Sequence, residues 1–89
     1  MADSRYKEYS SMNYATAYVL INYEIGAEKD ILNKLKTVPG VIEASEVNGV
    51  FDIVVKIASG SLDSLKDTIT RDIRAIDRVR STMTLIVIE

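Results

Sequence analysis

The chain has no cysteine and no histidine among its 89 residues. The first absence excludes disulfides and thiolate chemistry, and the two together remove the usual ligands of zinc and copper. Without histidine the commonest general base is missing as well. Carboxylates alone can hold a hard cation, but nothing here is spaced like a calcium-binding loop. The reading therefore carries no metal and no cofactor. No apolar run approaches the roughly 18 residues that a membrane span needs. No block of one charge sign occurs either: the formal net charge is −2 and the acidic and basic residues are interspersed along the chain. Domains that bind duplexes usually show a basic face, so a direct nucleic-acid partner is not expected. Residues 1–9 hold Asp3, Arg5, Lys7 and Glu8 around no apolar core, which is not a secretory signal. A cytoplasmic protein is the expectation.

What is present suits one small globular domain. Hydrophobic residues make up 47% of the chain, too many for a disordered one. A domain of this size buries a modest share of its surface and often gains stability by oligomerising.

Residues 1–14, "MADSRYKEYSSMNY", show neither helical nor strand periodicity and read as a mobile leader, with Tyr6, Tyr9 and Tyr14 available to pack on a partner. The domain proper is residues 15–89. It begins with "TAYVLINYEI", a β-branched and aromatic strand broken by Gly26. In "AEKDILNKLKTVPG" the residues Ile31, Leu35 and Val38, widened by Leu32, form the stripe of an amphipathic helix. Glu28 and Asp30 suit its first turn, and Pro39-Gly40 ends it. "VIEASEV" is a second strand. Asn48-Gly49 predicts a tight type I′ hairpin turn, which requires positive φ at both positions. "VFDIVVKI" is the third strand. Ser61 is the expected N-cap of a second helix whose stripe is Leu62, Leu65, Ile69, Ile73 and Ile76. "VRSTMTLIVI" closes the chain as a fourth strand.

This order is β-α-β-β-α-β. It predicts an α+β, ferredoxin-like fold, a four-stranded antiparallel sheet with two helices on one face. Right-handed crossovers give the strand order 4-1-3-2. The second strand is then an edge, and Glu43 and Glu46 protect it from stray pairing. In the third strand Phe51, Ile53, Val55 and Ile57 form the core side. The face that the helices leave bare is also apolar, with Tyr18, Leu20, Val54, Ile86 and Ile88 assigned to it. Soluble monomers rarely expose so large a patch. A second copy of the chain is the simplest cover, because a two-fold interface uses one patch twice.

Asp52 is out of place in that third strand. A carboxylate on the bare face needs a cation, a cluster of donors or water. With the unencumbered backbone at Gly49 it suits the ammonium end of a small amino acid. In the plain structural reading it pairs with Lys56 on the same face, or with a charge such as Arg80 across an interface.

Taken together, "VPGVIEASEVNGVFDIVVKI" and "VRSTMTLIVI" resemble the effector-binding domain of the Lrp/AsnC transcriptional regulators. The likeness rests on Pro39-Gly40-Val41, on Gly49-Val50-Phe51-Asp52 at the hairpin, and on Ser81, Thr82 and Thr84 in the closing strand. It spans about residues 16–88. It implies dimers built sheet to sheet, rings of four or five dimers (octamers or decamers), and small effectors, often amino acids, bound between dimers. By the same resemblance the hairpin residues Gly49, Val50, Phe51 and Asp52 line the pocket. The neighbouring subunit adds positions near Asp72 and Arg74 on its second helix, and Thr82 and Thr84. Arg74 is suited to grip a carboxylate.

Family regulators also carry an N-terminal helix-turn-helix, and this chain shows only the short leader. It is expected to act as a stand-alone effector domain, one that modulates full-length Lrp/AsnC regulators without touching DNA itself and without catalysis. Two other classes share the topology. One is the ACT-type allosteric amino-acid-binding domain, with which Gly26 is compatible. The other is the dimeric ferredoxin-like barrel enzyme, a monooxygenase or isomerase, for which only Tyr18 and Tyr23 offer hydroxyls in the first strand.

Overall fold

The computed structural model describes residues 14–88. The leader's Tyr6 and Tyr9 lie outside the described residues, and Tyr14 at their margin is exposed. Strand β1 is Ala15–Tyr23, helix α1 Glu28–Leu35, strand β2 Val41–Glu46 and strand β3 Ile53–Ser59. Helix α2 is Leu62–Thr68, continued by a wider π-helical turn over Ile69–Ile73, and β4 is Val79–Ile86. All neighbours pair antiparallel in the order β2-β3-β1-β4. This is the ferredoxin-like fold read from the sequence.

One face of the central strands makes the core. Ala17, Val19 and Ile21 of β1 and Ile53, Val55 and Ile57 of β3 are fully buried. Ile31 and Leu35 of α1 and Leu65, Ile69 and Ile73 of α2 close over them. Each buried Val, Leu or Ile side chain among them contributes about 1.5–3 kcal/mol by leaving water. Leu62, expected in that stripe, is exposed, and Ile76 is only half buried. The stripe shortens because Leu62 lies in the first turn, beside the Ser61 N-cap, whose hydroxyl accepts from the Ser64 N–H at 3.1 Å.

The π-helical turn, closed by Arg74 N–H donating to the Ile69 carbonyl at 2.9 Å, corrects the phase of α2. Leu65 and Ile73 are eight residues apart, which in an uninterrupted α-helix would offset them by roughly 80°. Absorbing one extra residue brings them within roughly 20°, so both face the sheet.

Gly40 shows why Pro-Gly stands after α1. Its φ is +89°, and a Cβ there would sit 2.3 Å from the Ala58 carbonyl oxygen. The two backbones touch, and Ala58 N–H donates to the Gly40 carbonyl at 2.9 Å. This contact fixes the start of β2 against the end of β3.

Two expectations are corrected. No type I′ turn forms: among the described residues positive φ occurs only at Gly26, Gly40 and Arg78, not at Asn48 or Gly49. The connection is wider, with Val47 N–H donating to the Asp52 carbonyl at 2.9 Å and residues 48–51 looping between them. Strand β3 therefore starts at Ile53, and Val50, Phe51 and Asp52 belong to the loop. The second correction concerns β4. Its register sets Tyr18 opposite Leu85 and Leu20 opposite Met83, while Ala17 faces Ile86. Ile86 thus packs on the core side, and Ile88 lies past the end of the strand. The bare face carries Tyr18, Leu20, Val54, Met83 and Leu85, and Leu85 is 49% exposed there. The apolar character survives; its members change.

Candidate ligand-binding site

Asp52 is held by β1. Its N–H donates to the Ile21 carbonyl at 2.9 Å, and its Oδ2 accepts from the Tyr23 N–H at 3.1 Å. The side chain stands in for the main-chain acceptor that the loop withdraws from the ladder, so the Tyr23 N–H is not left unpaired. With its amide turned to suit its neighbours, Asn22 donates to Asp52 Oδ2 at 3.3 Å and to the Val50 carbonyl at 3.1 Å. The expected partner Lys56 is elsewhere, its ammonium 5.9 Å from the centre of the Tyr18 ring. Arg80 forms no ion pair with Asp52 within the chain, although both line one open hollow with Asn22, Tyr23 and Ser81. Partial burial, then the carboxylates of Glu46, Glu28 and Asp52, push the Tyr23 phenol above its ordinary range. Its hydroxyl faces Glu46 Oε2 at 3.5 Å.

The second group of expected residues gathers on the helix side of β4. Arg74, Thr82 and Thr84 line a bay of about 460 Å³, joined by Lys66 and Thr70 over a floor of Ile69 and Ile86. The bay contains two cations and three hydroxyls and no carboxylate. Lys66, Thr70 and Arg74 recur every four residues, so one side of α2 supplies all three. β4 is an edge strand. Val87 N–H donates inward to Thr16, so the alternate residues, Thr82 and Thr84 among them, turn their backbone N–H and C=O to the open edge. Side-chain hydroxyls and free main-chain groups thus border one bay.

The remaining expected residues are dispersed. Asp72 is two positions from Arg74 and points another way. It lines a groove with Lys34 and Thr37 and lies 3.6 Å from Arg71 Nε. Gly49 and Val50 are exposed at the loop tip, and Phe51 is half buried. Neither the bay nor the Asp52 hollow is lined by these three. Asn22, Lys66 and Thr70 carry no expectation from the sequence, and Tyr23 enters there only as a hydroxyl of the enzyme alternative. The four-residue spacing to Arg74 was a readable signal for Lys66 and Thr70; no local pattern marks Asn22. A further hollow, also unexpected, lies between α1 and the turn before β4, where Arg78 at φ +72° pairs with Asp30 at 3.0 Å.

Comparison with known proteins decides the family. The model of the Lrp/AsnC ligand binding domain matches residues 16–89. The chain belongs to this family. The Lrp/AsnC domain described here is 36% identical over 58 residues to the regulatory protein AsnC of Escherichia coli K12, covering 65% of this chain and 38% of that protein. It is 30% identical over 73 residues to the HTH-type transcriptional regulator FL11 of Pyrococcus furiosus, covering 82% and 48%. The chain spans about half or less of these relatives' length, and they are transcriptional regulators. Among solved structures it resembles FFRP-DM1, with a TM-score of 0.80 at 35% identity over 83% of this chain and 99% of that one. Against E. coli AsnC the TM-score is 0.81 at 27% identity, covering 100% and 59%. The NMB0573/L-Met complex of Neisseria meningitidis, 12% identical with a TM-score of 0.79, shares the fold. No helix of the described residues is long and apolar enough to cross a membrane.

Proposed function

We propose that this Lrp/AsnC domain is a cytoplasmic sensor of a small amino-acid-like effector that modulates transcription regulators, without catalysis and without contacting DNA itself. The observation that carries the reading is the family match over residues 16–89. The relative of known fold solved with L-Met supports an amino acid as the kind of effector. In this reading two copies close their apolar sheet faces on each other, Tyr18, Leu20, Val54, Met83 and Leu85 meeting their symmetry mates. Dimers then assemble into octamers or decamers.

Between dimers the loop 49–52 of one copy meets the bay of another. Arg74, Lys66 and the threonine hydroxyls supply donors for a carboxylate. The Asp52 side keeps an anion and backbone carbonyls for an ammonium. Asp72 reaches such a pocket only from the partner's opposite helix face, which makes it the weakest member of the set.

The test is ligand-dependent stabilisation. A specific effector at a hundred times its Kd should raise stability by about 2.7 kcal/mol. A thermal-shift screen of the twenty amino acids, run with light scattering, should show one or a few that stabilise a multimer. A monomer insensitive to every amino acid refutes the proposal.

A further inference from the structure

We propose that Asn48-Gly49 is a site of spontaneous, site-specific deamidation, built by the loop that replaces the expected turn. The described residues contain three asparagines, and the structure separates them sharply. The reaction needs the backbone nitrogen of the following residue to be free. After Asn22 that nitrogen belongs to Tyr23 and donates to Asp52 at 3.1 Å. After Asn33 it belongs to Lys34, inside α1. After Asn48 it belongs to Gly49, whose N–H meets no backbone carbonyl among the described residues.

Access separates them in the same direction. Asn48 and Gly49 are exposed, and among the described residues no atom beyond Gly49 and its chain neighbours lies within 4 Å of the place where a Gly49 side chain would begin. A type I′ turn would have held both residues at fixed positive φ; neither has it. The Asn48 side chain is therefore free to swing over the next peptide, as short amide side chains do in loops.

The chemistry balances with water as the only co-reactant. The Gly49 nitrogen attacks the Asn48 side-chain carbon. A carbon–nitrogen bond forms, the bond to Nδ2 breaks, and Nδ2 leaves as ammonia with the proton lost from the Gly49 N–H. Water then opens the cyclic imide at either carbonyl. One opening gives aspartate; the other gives isoaspartate, in which the main chain runs through the former side chain and is one methylene longer. Nothing is oxidised or reduced. The product adds one negative charge to a chain whose formal net charge is −2. The isoaspartate product also lengthens the loop that ends at Asp52. If the proposed effector site is right, ring assembly over residues 49–52 slows the conversion without abolishing it, and ageing alters the charge beside the site; the chemistry of the open loop in the single chain does not depend on that reading.

The experiment incubates the purified full chain well below its melting temperature at neutral and mildly alkaline pH. Peptide mass spectrometry and an isoaspartate assay follow the conversion. The expected result is amide loss at Asn48 and not at Asn22 or Asn33, accelerating with pH, and its suppression in Gly49→Ala, whose folding is undisturbed because the position is open. Retention of the Asn48 amide throughout would overturn the proposal. Parallel loss at Asn22 and Asn33, or a Gly49→Ala chain that converts as fast, would overturn it equally.

Discussion

Replacing Gly40 by alanine tests the close approach of the Gly40 and Ala58 backbones. The new methyl would have to occupy a point 2.3 Å from the Ala58 carbonyl oxygen, which is main chain and cannot rotate aside. Alanine at φ +89° adds steric cost of about 1–2 kcal/mol. Relieving the overlap requires β2 and β3 to part at this end. That breaks the bond from Ala58 N–H to the Gly40 carbonyl, a net loss of about 1 kcal/mol. The total is about 2–3 kcal/mol, and each kcal/mol lowers Tm by roughly 4–8 °C in a domain of this size. Two other glycines provide controls. Gly26 shares a positive φ of +91° but has open space, so Gly26→Ala should cost only the conformational share. Gly49 has neither constraint, and Gly49→Ala should stay within about 0.5 kcal/mol of the parent. Thermal or urea unfolding of the three variants gives the order directly. A Gly40→Ala chain as stable as Gly26→Ala would show that the contact with Ala58 is not what sets this glycine.

The carboxylate of Asp52 should matter first as an acceptor. Asp52→Ala leaves the Tyr23 N–H without a partner and should cost about 1–3 kcal/mol in urea unfolding, while Asp52→Asn keeps an oxygen there and should lose much less; equal losses would refute this role. Leu85→Asp places a charge on the bare sheet face, where the side chain is already 49% exposed, so the fold should persist while light scattering shows the proposed assembly falling to monomers. Raising the Tyr23 phenol makes folding favour its neutral form. The associated stability is fully present below the ordinary phenol value of 10.0 and is lost as pH rises through the higher folded-state value. Alkaline difference spectroscopy should therefore show one tyrosine ionising late, and Tyr23→Phe should flatten the alkaline fall in stability.

Much of the architecture was legible because β1, β3 and α1 carry strong and opposite periodicities. The spacing Ile31-Leu35 admits one buried side, and in the third strand Asp52 and Lys56 mark the side opposite Ile53-Val55-Ile57, while the pairing of β1 with β3 fixes which face of β1 is core. Strand β4 admits two: Leu85, Ile86, Val87 and Ile88 are all apolar, so pattern alone cannot choose a face, and only pairing with β1 placed Leu85 outward and Ile86 inward. Asn48-Gly49 misled for a different reason. Its local preference for a tight turn is not realised: the loop over residues 48–51 withdraws a main-chain acceptor from β1, and the Asp52 carboxylate replaces it at the Tyr23 N–H, a partnership that no local pattern announces. Of the candidate site, Arg74, Thr82 and Thr84 were readable through family resemblance and gather at one bay. Asn22 and Tyr23 were not, since each meets Asp52 across some thirty residues of chain.

The widened turn at Ile69–Ile73 also bears on how this domain can change length. Insertions and deletions are ordinarily accommodated in connecting segments, where no packing depends on the count. Here one surplus residue is stowed inside a helix. Removing a single residue from Thr70–Asp72 would let the segment relax into continuous α-helix while Leu65 and Ile73 kept their seats. Relatives of this chain that differ by one residue in their second helix can therefore present the same two ends to the sheet, and an alignment that forced the gap into a neighbouring loop would misplace every residue between.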